Sequence, residues 1–237
     1  MPLSQGLDPT DVVGVTFWLL SAAMFAATFF FYMERDRAVG KWKTSMSVAA
    51  LVTGIAGIHY FYMRDVWVET GASPTVYRYV DWLLTVPLQI AEFYLILAAV
   101  TVVAASLFWR LMGASVLMLV AGYVGEIGGA ESSELWPAFV IGLVAWLYIV
   151  YEIFAGEASK ISAEKGSNAS KKAFNALRWI VTVGWSIYPI GYVYGYAGDG
   201  SADTLNLIYN LADFVNKIAF GVVIWAAATS DESTKAA

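Results

Sequence analysis

The stretch Asn206-Leu207-Ile208-Tyr209-Asn210-Leu211-Ala212-Asp213-Phe214-Val215-Asn216-Lys217-Ile218-Ala219-Phe220-Gly221-Val222-Val223-Ile224-Trp225 is long and apolar enough to cross a bilayer, yet it carries a lysine near its middle. An ammonium at that depth costs several kcal/mol unless it is paired, neutralised or put to chemical use. Asp213 lies one helical turn before Lys217 on the same face. A lysine amine in dry surroundings also condenses with carbonyl compounds to form a Schiff base. The rest of the chain must supply a partner for that amine, and it must be compatible with burial in a membrane.

Composition agrees with a membrane location. The chain has 237 residues, of which 59% are hydrophobic and only 14% charged, against roughly 25% charged in a soluble domain. The length fits one bundle, a single domain spanning residues 1–237. The net charge of −5 implies no particular partner. Without cysteine there is no disulfide, thiolate metal site or cysteine nucleophile, and a single histidine argues against zinc, so no metal is expected. No basic patch interleaved with aromatics points to nucleic acid. The first eleven residues lack the positive region of a secretory signal: either none is needed or it was removed before residue 1.

Five spans read directly: about Asp11–Tyr32, Ser45–Tyr62, Leu135–Phe154, Phe174–Tyr196 and Asp203–Ala228. The stretch from Pro74 to Gly125 is too long for one crossing and is divided near Val100–Ala104, where Thr101, Ser106, Trp109 and Arg110 mark an interface. The fold expected is all-α, a seven-transmembrane-helix bundle. Arg35, Arg37, Lys41 and Lys43 fall in the first loop, Arg110 near the third, Lys160, Lys165, Lys171, Lys172 and Arg178 in or beside the fifth, and Lys235 in the tail. Glu126, Glu131 and Glu134 crowd the fourth loop and Asp199 the sixth. By the positive-inside rule the N-terminus is outside and the C-terminus cytoplasmic. Arg64 and Asp65 read as a solvated pair in the second loop, and Ser159–Ser170 and the tail from Ser230 as polar and mobile. Arg78 and Lys217 fit no loop and call for a function.

The third span supplies one. In Arg78-Tyr79-Val80-Asp81-Trp82-Leu83-Leu84-Thr85-Val86-Pro87-Leu88-Gln89-Ile90-Ala91-Glu92, helical periodicity places Asp81, Thr85, Gln89 and Glu92 on one stripe facing the interior. Asp81 and Glu92 are separated by about 16 Å along the axis, Asp81 toward the outside and Glu92 toward the cytoplasm. Two acids at different depths with an amine between them suggest a proton relay, in which Asp81 and Asp213 surround the amine and Arg78 offsets their charge. Acids that merely pair to fix helix register are the plainer alternative, less apt for four polar residues on one face opposite a lysine.

These motifs resemble those of the microbial rhodopsins, specifically the proteorhodopsins. The third-span pattern Arg-Tyr-x-Asp-Trp-x-x-Thr-x-Pro followed by Glu runs from Arg78 to Glu92, the seventh-span pattern is Asp213 to Lys217, and the sixth-span pattern is Trp185, Tyr188 and Pro189. The resemblance covers all seven spans. It implies all-trans retinal bound as a Schiff base to Lys217, Asp81 as primary proton acceptor and Glu92 as cytoplasmic donor. It further implies that Gln89 tunes the colour and that this is a blue-absorbing variety, since leucine there accompanies green absorption. Acid at both Asp81 and Glu92 departs from the patterns of chloride and sodium pumps.

Trp185, Tyr188 and Tyr192 share a helix face and, with Trp82 and Tyr60, form candidate aromatic walls for a flat polyene. Trp42, Trp67, Trp109 and Trp136 lie near span ends and fit an interfacial belt equally well. Trp146 fits pocket or packing. Pro87 and Pro189 interrupt spans three and six, either as a hinge or as static bends. Taken alone, His59 is a core residue. The resemblance implies instead that it contacts the acceptor acid and meets Trp18 of a neighbouring subunit in a homo-oligomeric ring, a pentamer or hexamer. Glu34, Arg35 and Asp36 are candidates for salt bridges between subunits, or else a solvated loop. Asn206 and Asn210 continue the Lys217 stripe outward and could order water there, but no proton-release group emerges.

The function expected is a light-driven outward proton pump in a bacterial inner membrane, a transporter rather than an enzyme. The rival is a slow-photocycle sensory rhodopsin with the same chromophore, which Glu92 disfavours because a sensor has little need of rapid reprotonation. A seven-helix scaffold or transporter without retinal is a second rival.

Overall fold

In the computed structural model, residues 8–197 and 200–231 are described, and among them the regular structure is helical throughout. The expectations for Asp199, Lys235 and the first seven residues lie outside the described residues. The helices are α1 (Val12–Glu34), α2 (Trp42–Thr70), α3 (Thr75–Val100), α4 (Ala105–Ile127), α5 (Leu135–Phe154), α6 (Glu157–Lys165), α7 (Asn168–Trp179), α8 (Ile187–Tyr196) and α9 (Ala202–Ser230). Six helical stretches are long and apolar enough to cross a membrane. The remaining crossing is residues 168–196, where α7 and α8 are joined through a π-helical turn, Ile180–Gly184. The bundle therefore has seven crossings.

Consecutive helices α1 to α5 pack side by side, and α9 closes the bundle against α1, α2, α7 and α8. That closure puts the lysine-bearing helix opposite α3. Capping side chains fix where the helices begin: Asp11 Oδ1 accepts from the Gly14 amide (2.9 Å), Ser167 Oγ from Ser170 (3.1 Å) and Ser201 Oγ from Thr204 (3.2 Å). Asp11 also accepts from Trp67 Nε1 (3.1 Å), joining the start of α1 to the end of α2. Gly71, at φ +64°, ends α2 in the left-handed conformation that only glycine adopts readily.

The division between the third and fourth spans falls where expected, with α3 ending at Val100 and α4 starting at Ala105. Three expectations need correction. The second span does not stop at Tyr62: α2 continues to Thr70, so Arg64 and Asp65 are helical rather than in a loop. Their pair is real (3.1 Å), but the Arg64 side chain is largely buried, with its guanidinium 5.7 Å from the Trp18 ring, and this stacking against α1 lets the helix carry a charge there. Residues 159–170 are not irregular coil either. They form most of α6 and the start of α7, with α6 packed on α3 and α5. Finally, the break in the sixth span is upstream of Pro189. Proline sits in the first turn of α8, where its missing N–H costs little, and the interruption is the π turn itself.

Candidate functional site

The α3 stripe is buried as a unit: Asp81, Thr85, Gln89 and Glu92 are all inaccessible. Lys217 on α9 faces it. Its Nζ donates to Asp81 Oδ2 and, at 3.0 Å, to Asp213 Oδ2. The two carboxylates differ in their surroundings. Asp213 accepts from Tyr60 (2.7 Å), Tyr188 (2.6 Å) and Trp82 Nε1 (3.2 Å), so neutral donors from three helices occupy its oxygens. Asp81 Oδ1 has no hydrogen-bond partner among the described residues. His59 Nδ1 lies 3.9 Å from it and 2.9 Å from the Ile55 carbonyl, to which the ring donates when the proton is on Nδ1. Thr85 donates to the backbone carbonyl of Asp81 (2.9 Å) rather than to its carboxylate.

Arg78 does not touch either aspartate directly. Its guanidinium donates to Tyr60 Oη (3.1 Å), Asn206 Oδ1 (2.8 Å) and Asn210 Oδ1 (3.0 Å), reaching Asp213 through the Tyr60 hydroxyl. The two asparagines that continue the Lys217 stripe therefore serve to hold this arginine. At the far end of α3 the Glu92 carboxyl is fully buried and both its oxygens lack hydrogen-bond partners among the described residues. Lys41, in the basic first loop, donates to the Ala98 carbonyl, which places the Glu92 end of α3 at the basic end of the bundle.

A cavity of about 110 Å³ opens between α3, α4, α5 and α8. Trp82, Trp185, Tyr188, Pro189 and Tyr192 line it, as the sequence leads one to expect. Tyr60 and Gln89 do not: Tyr60 is drawn to Asp213, and the Gln89 amide points to the Asn216 carbonyl (3.5 Å) beside Lys217. Met118, Gly122, Phe139 and Gly142 join the lining from α4 and α5, and their periodicity on apolar helices gives no sign of this. Trp146 is a pocket residue, and its Nε1 also donates to Val181 O (2.9 Å) in the π turn. Tyr192 is seated because Gly125 has no side chain: a Cβ there would lie 2.1 Å from its hydroxyl. Glu126, expected in a loop, is buried at the end of α4 and accepts from Tyr79 (2.9 Å), Tyr209 (3.0 Å) and Tyr196 (3.2 Å).

Trp18 is half-exposed on α1 against Phe61 (5.8 Å between rings). Glu34 is engaged within its own chain, accepting from Arg37 (2.7 Å) and Trp225 (2.7 Å), while Arg35 Nε donates to Ser47 (2.7 Å).

A seven-helix membrane bundle that buries one lysine between two aspartates, beside an aromatic-lined cavity, defines a narrow class. The family of bacteriorhodopsin-like proteins matches residues 11–231. The green-light absorbing proteorhodopsin of gamma-proteobacterium EBAC31A08 is 58% identical over 229 residues, covering 96% of this chain and 90% of that protein. The blue-light absorbing proteorhodopsin of gamma-proteobacterium Hot 75m4 is 56% identical over 230 residues, with the same coverage. The crystal structure of the blue light-absorbing proteorhodopsin from Med12 superposes with a TM-score of 0.81 at 53% identity, covering 93% of this chain and 99% of that one. The chain belongs to the bacteriorhodopsin-like family and, within it, to the proteorhodopsins.

Retinal, the polyene aldehyde that such a family implies, is compatible with the residues present. The cavity walls are almost wholly apolar and aromatic, and Trp82 and Tyr188 connect them through Asp213 to the Lys217 amine.

Proposed function

We propose that this protein is a light-driven outward proton pump of a bacterial inner membrane, with all-trans retinal on Lys217 and blue absorption set by Gln89. When bound, retinal supplies light absorption and a change of shape next to the lysine nitrogen. The chain's own residues do the rest. Trp82, Trp185, Tyr188 and Pro189 confine the polyene and keep water out. Lys217 Nζ carries the transferable proton, and the asymmetry of its two carboxylates supports Asp81 as the acceptor. Asp213 accepts from three neutral donors, whereas Asp81 Oδ1 accepts from none among the described residues. Arg78, held by Tyr60, Asn206 and Asn210, keeps positive charge on the outer side of the amine and is linked to Asp213 through the Tyr60 hydroxyl. Glu92, about 16 Å along α3 from Asp81, returns a proton to the nitrogen from the basic end, which the charge bias makes cytoplasmic. In the assembled ring we place His59 beside Asp81 and near Trp18 of a neighbouring copy.

The observation that carries the proposal is the buried Lys217 amine between Asp213, which accepts from three neutral donors, and Asp81, with Glu92 buried on the same α3 stripe. Blue absorption rests on Gln89, because the identities to the green and blue relatives, 58% and 56%, do not choose between them. The test is illumination of cells that contain the retinal-loaded protein. The medium should acidify, a protonophore should abolish the signal, and Asp81→Asn should remove it. Folded, pigmented protein that moves no protons under light would refute the proposal.

A further inference from the structure

We propose that Asp231 is the entry group that takes protons from the basic-side solvent and passes them to Glu92. This rests on the donor role assigned to Glu92 above. Glu92 is inaccessible to solvent, and Ile96, Leu97 and Ile224, which follow toward the basic end on α3 and α9, are buried in one apolar cluster. A donor that must be refilled through such a plug needs a polar route.

Asp231 is the C-terminal cap of α9, and its side chain is turned inward, with the residue only 3% exposed. Oδ2 accepts from Trp42 Nε1 (2.9 Å) at the start of α2 and from Ser167 Oγ (3.2 Å) at the start of α7. The carboxylate thus sits where three helix ends meet, at the mouth of the bundle, on the side to which Glu92 belongs. From Trp42 the route leads inward along one face of α2. Ser45 lies three residues on, about 4.5 Å deeper, and is buried. Its hydroxyl faces the Glu92 carboxyl without closing a hydrogen bond to it. Lys41 ties the α2 entrance to the Ala98 carbonyl, and Glu92 is six residues back from Ala98, about 9 Å along the axis. A carboxylate at the mouth, a hydroxyl one turn in and an acid below it make a stepped path through otherwise apolar packing.

The chemistry is proton transfer alone. The Asp231 carboxylate gains a proton from solvent. Once Glu92 has given its own proton away, Asp231 passes that proton on and returns to the anion. Neither Trp42 nor Ser167 titrates in the relevant range, so these two contacts hold the carboxylate in place and take no proton from it.

The experiment follows proton uptake after a flash, with a pH-indicating dye in the medium and the infrared carboxyl band of Glu92, in retinal-loaded protein. Asp231→Asn keeps acceptors for Trp42 and Ser167 but cannot carry a proton. It should slow uptake and the return of the Glu92 band by about tenfold or more, leaving loss of the Lys217 proton unchanged. Asp231→Glu should restore the rate. Trp42→Phe removes a contact but leaves the carboxylate, and should slow uptake far less than Asp231→Asn. Wild-type uptake in Asp231→Asn, or equal slowing in Trp42→Phe with no rescue by Asp231→Glu, would overturn the proposal and leave the donor role of Glu92 standing. Unchanged uptake in Glu92→Gln would overturn that donor role and this proposal with it. Slowing in Glu92→Gln that Asp231→Asn does not deepen supports the order of the two groups.

Discussion

Gly184→Ala tests how the π turn is held to the lysine helix. A Cβ at Gly184 would lie 1.9 Å from Asn216 Oδ1 and 3.0 Å from its Cγ, so the Asn216 side chain must move. That movement breaks the hydrogen bond from Asn216 Nδ2 to Gly184 O (3.0 Å). Overpacking of this kind costs about 1–3 kcal/mol. The lost neutral hydrogen bond adds about 1 kcal/mol, and the helix preference of alanine over glycine returns about 1 kcal/mol. The net expectation is a loss of about 1–3 kcal/mol. In an Asn216→Ala background both the clash and the bond are already gone, so the same substitution should be neutral or stabilise by up to about 1 kcal/mol. The non-additivity of the pair is therefore about 2 kcal/mol or more, well beyond the roughly 0.5 kcal/mol expected of independent sites. Unfolding of the retinal-loaded protein in a denaturing detergent, followed by loss of the visible band, measures all four corners of the cycle. Additive effects would refute the idea that Asn216 joins the broken sixth crossing to α9. Because Asn216 precedes Lys217, a shifted visible band in Gly184→Ala that is absent from the double variant is the accompanying optical sign.

Two other substitutions probe the site. Tyr60→Phe removes a hydroxyl that donates to Asp213 (2.7 Å) and accepts from Arg78 (3.1 Å), two buried bonds to charged groups, so a loss of about 3 kcal/mol is expected in the same unfolding assay, and a loss under about 1 kcal/mol would show that the groups find other partners. Gln89→Leu removes the amide that points to the Asn216 carbonyl and should move the absorption maximum to longer wavelength; an unmoved band in the visible spectrum would mean that colour is set elsewhere.

Much of this protein was legible in its residue order, because membrane burial writes itself into composition. With no water in the hydrocarbon region, a helical crossing must satisfy its backbone groups internally and reads as a long, mostly apolar run. The count of crossings and the break near Val100 followed from that, and an ionisable residue in such a helix stands out at once. Lys217, Asp213, Asp81 and Glu92 were found for this reason, and the 3.6-residue period grouped Asp81, Thr85, Gln89 and Glu92 on one face.

Periodicity names a face but not what it meets. Only the closure of α9 against α1, α2, α7 and α8 brings Asn206 and Asn210 to Arg78, and Tyr60 and Tyr188 to Asp213. The same closure made the two aspartates unequal, giving Asp213 three neutral donors and Asp81 Oδ1 none among the described residues. Where local polarity and tertiary packing disagreed, packing prevailed. Arg64 lies within α2 with its guanidinium against Trp18, and Glu126 is buried where three tyrosines from α3, α8 and α9 converge on it. Residue order thus settled that the chain spans a membrane and singled out Lys217, Asp213, Asp81 and Glu92 inside it. Which of those groups touch, and therefore which way a proton can go, depended on helices far apart in the chain lying side by side, since a buried polar atom takes its character from the partners that reach it.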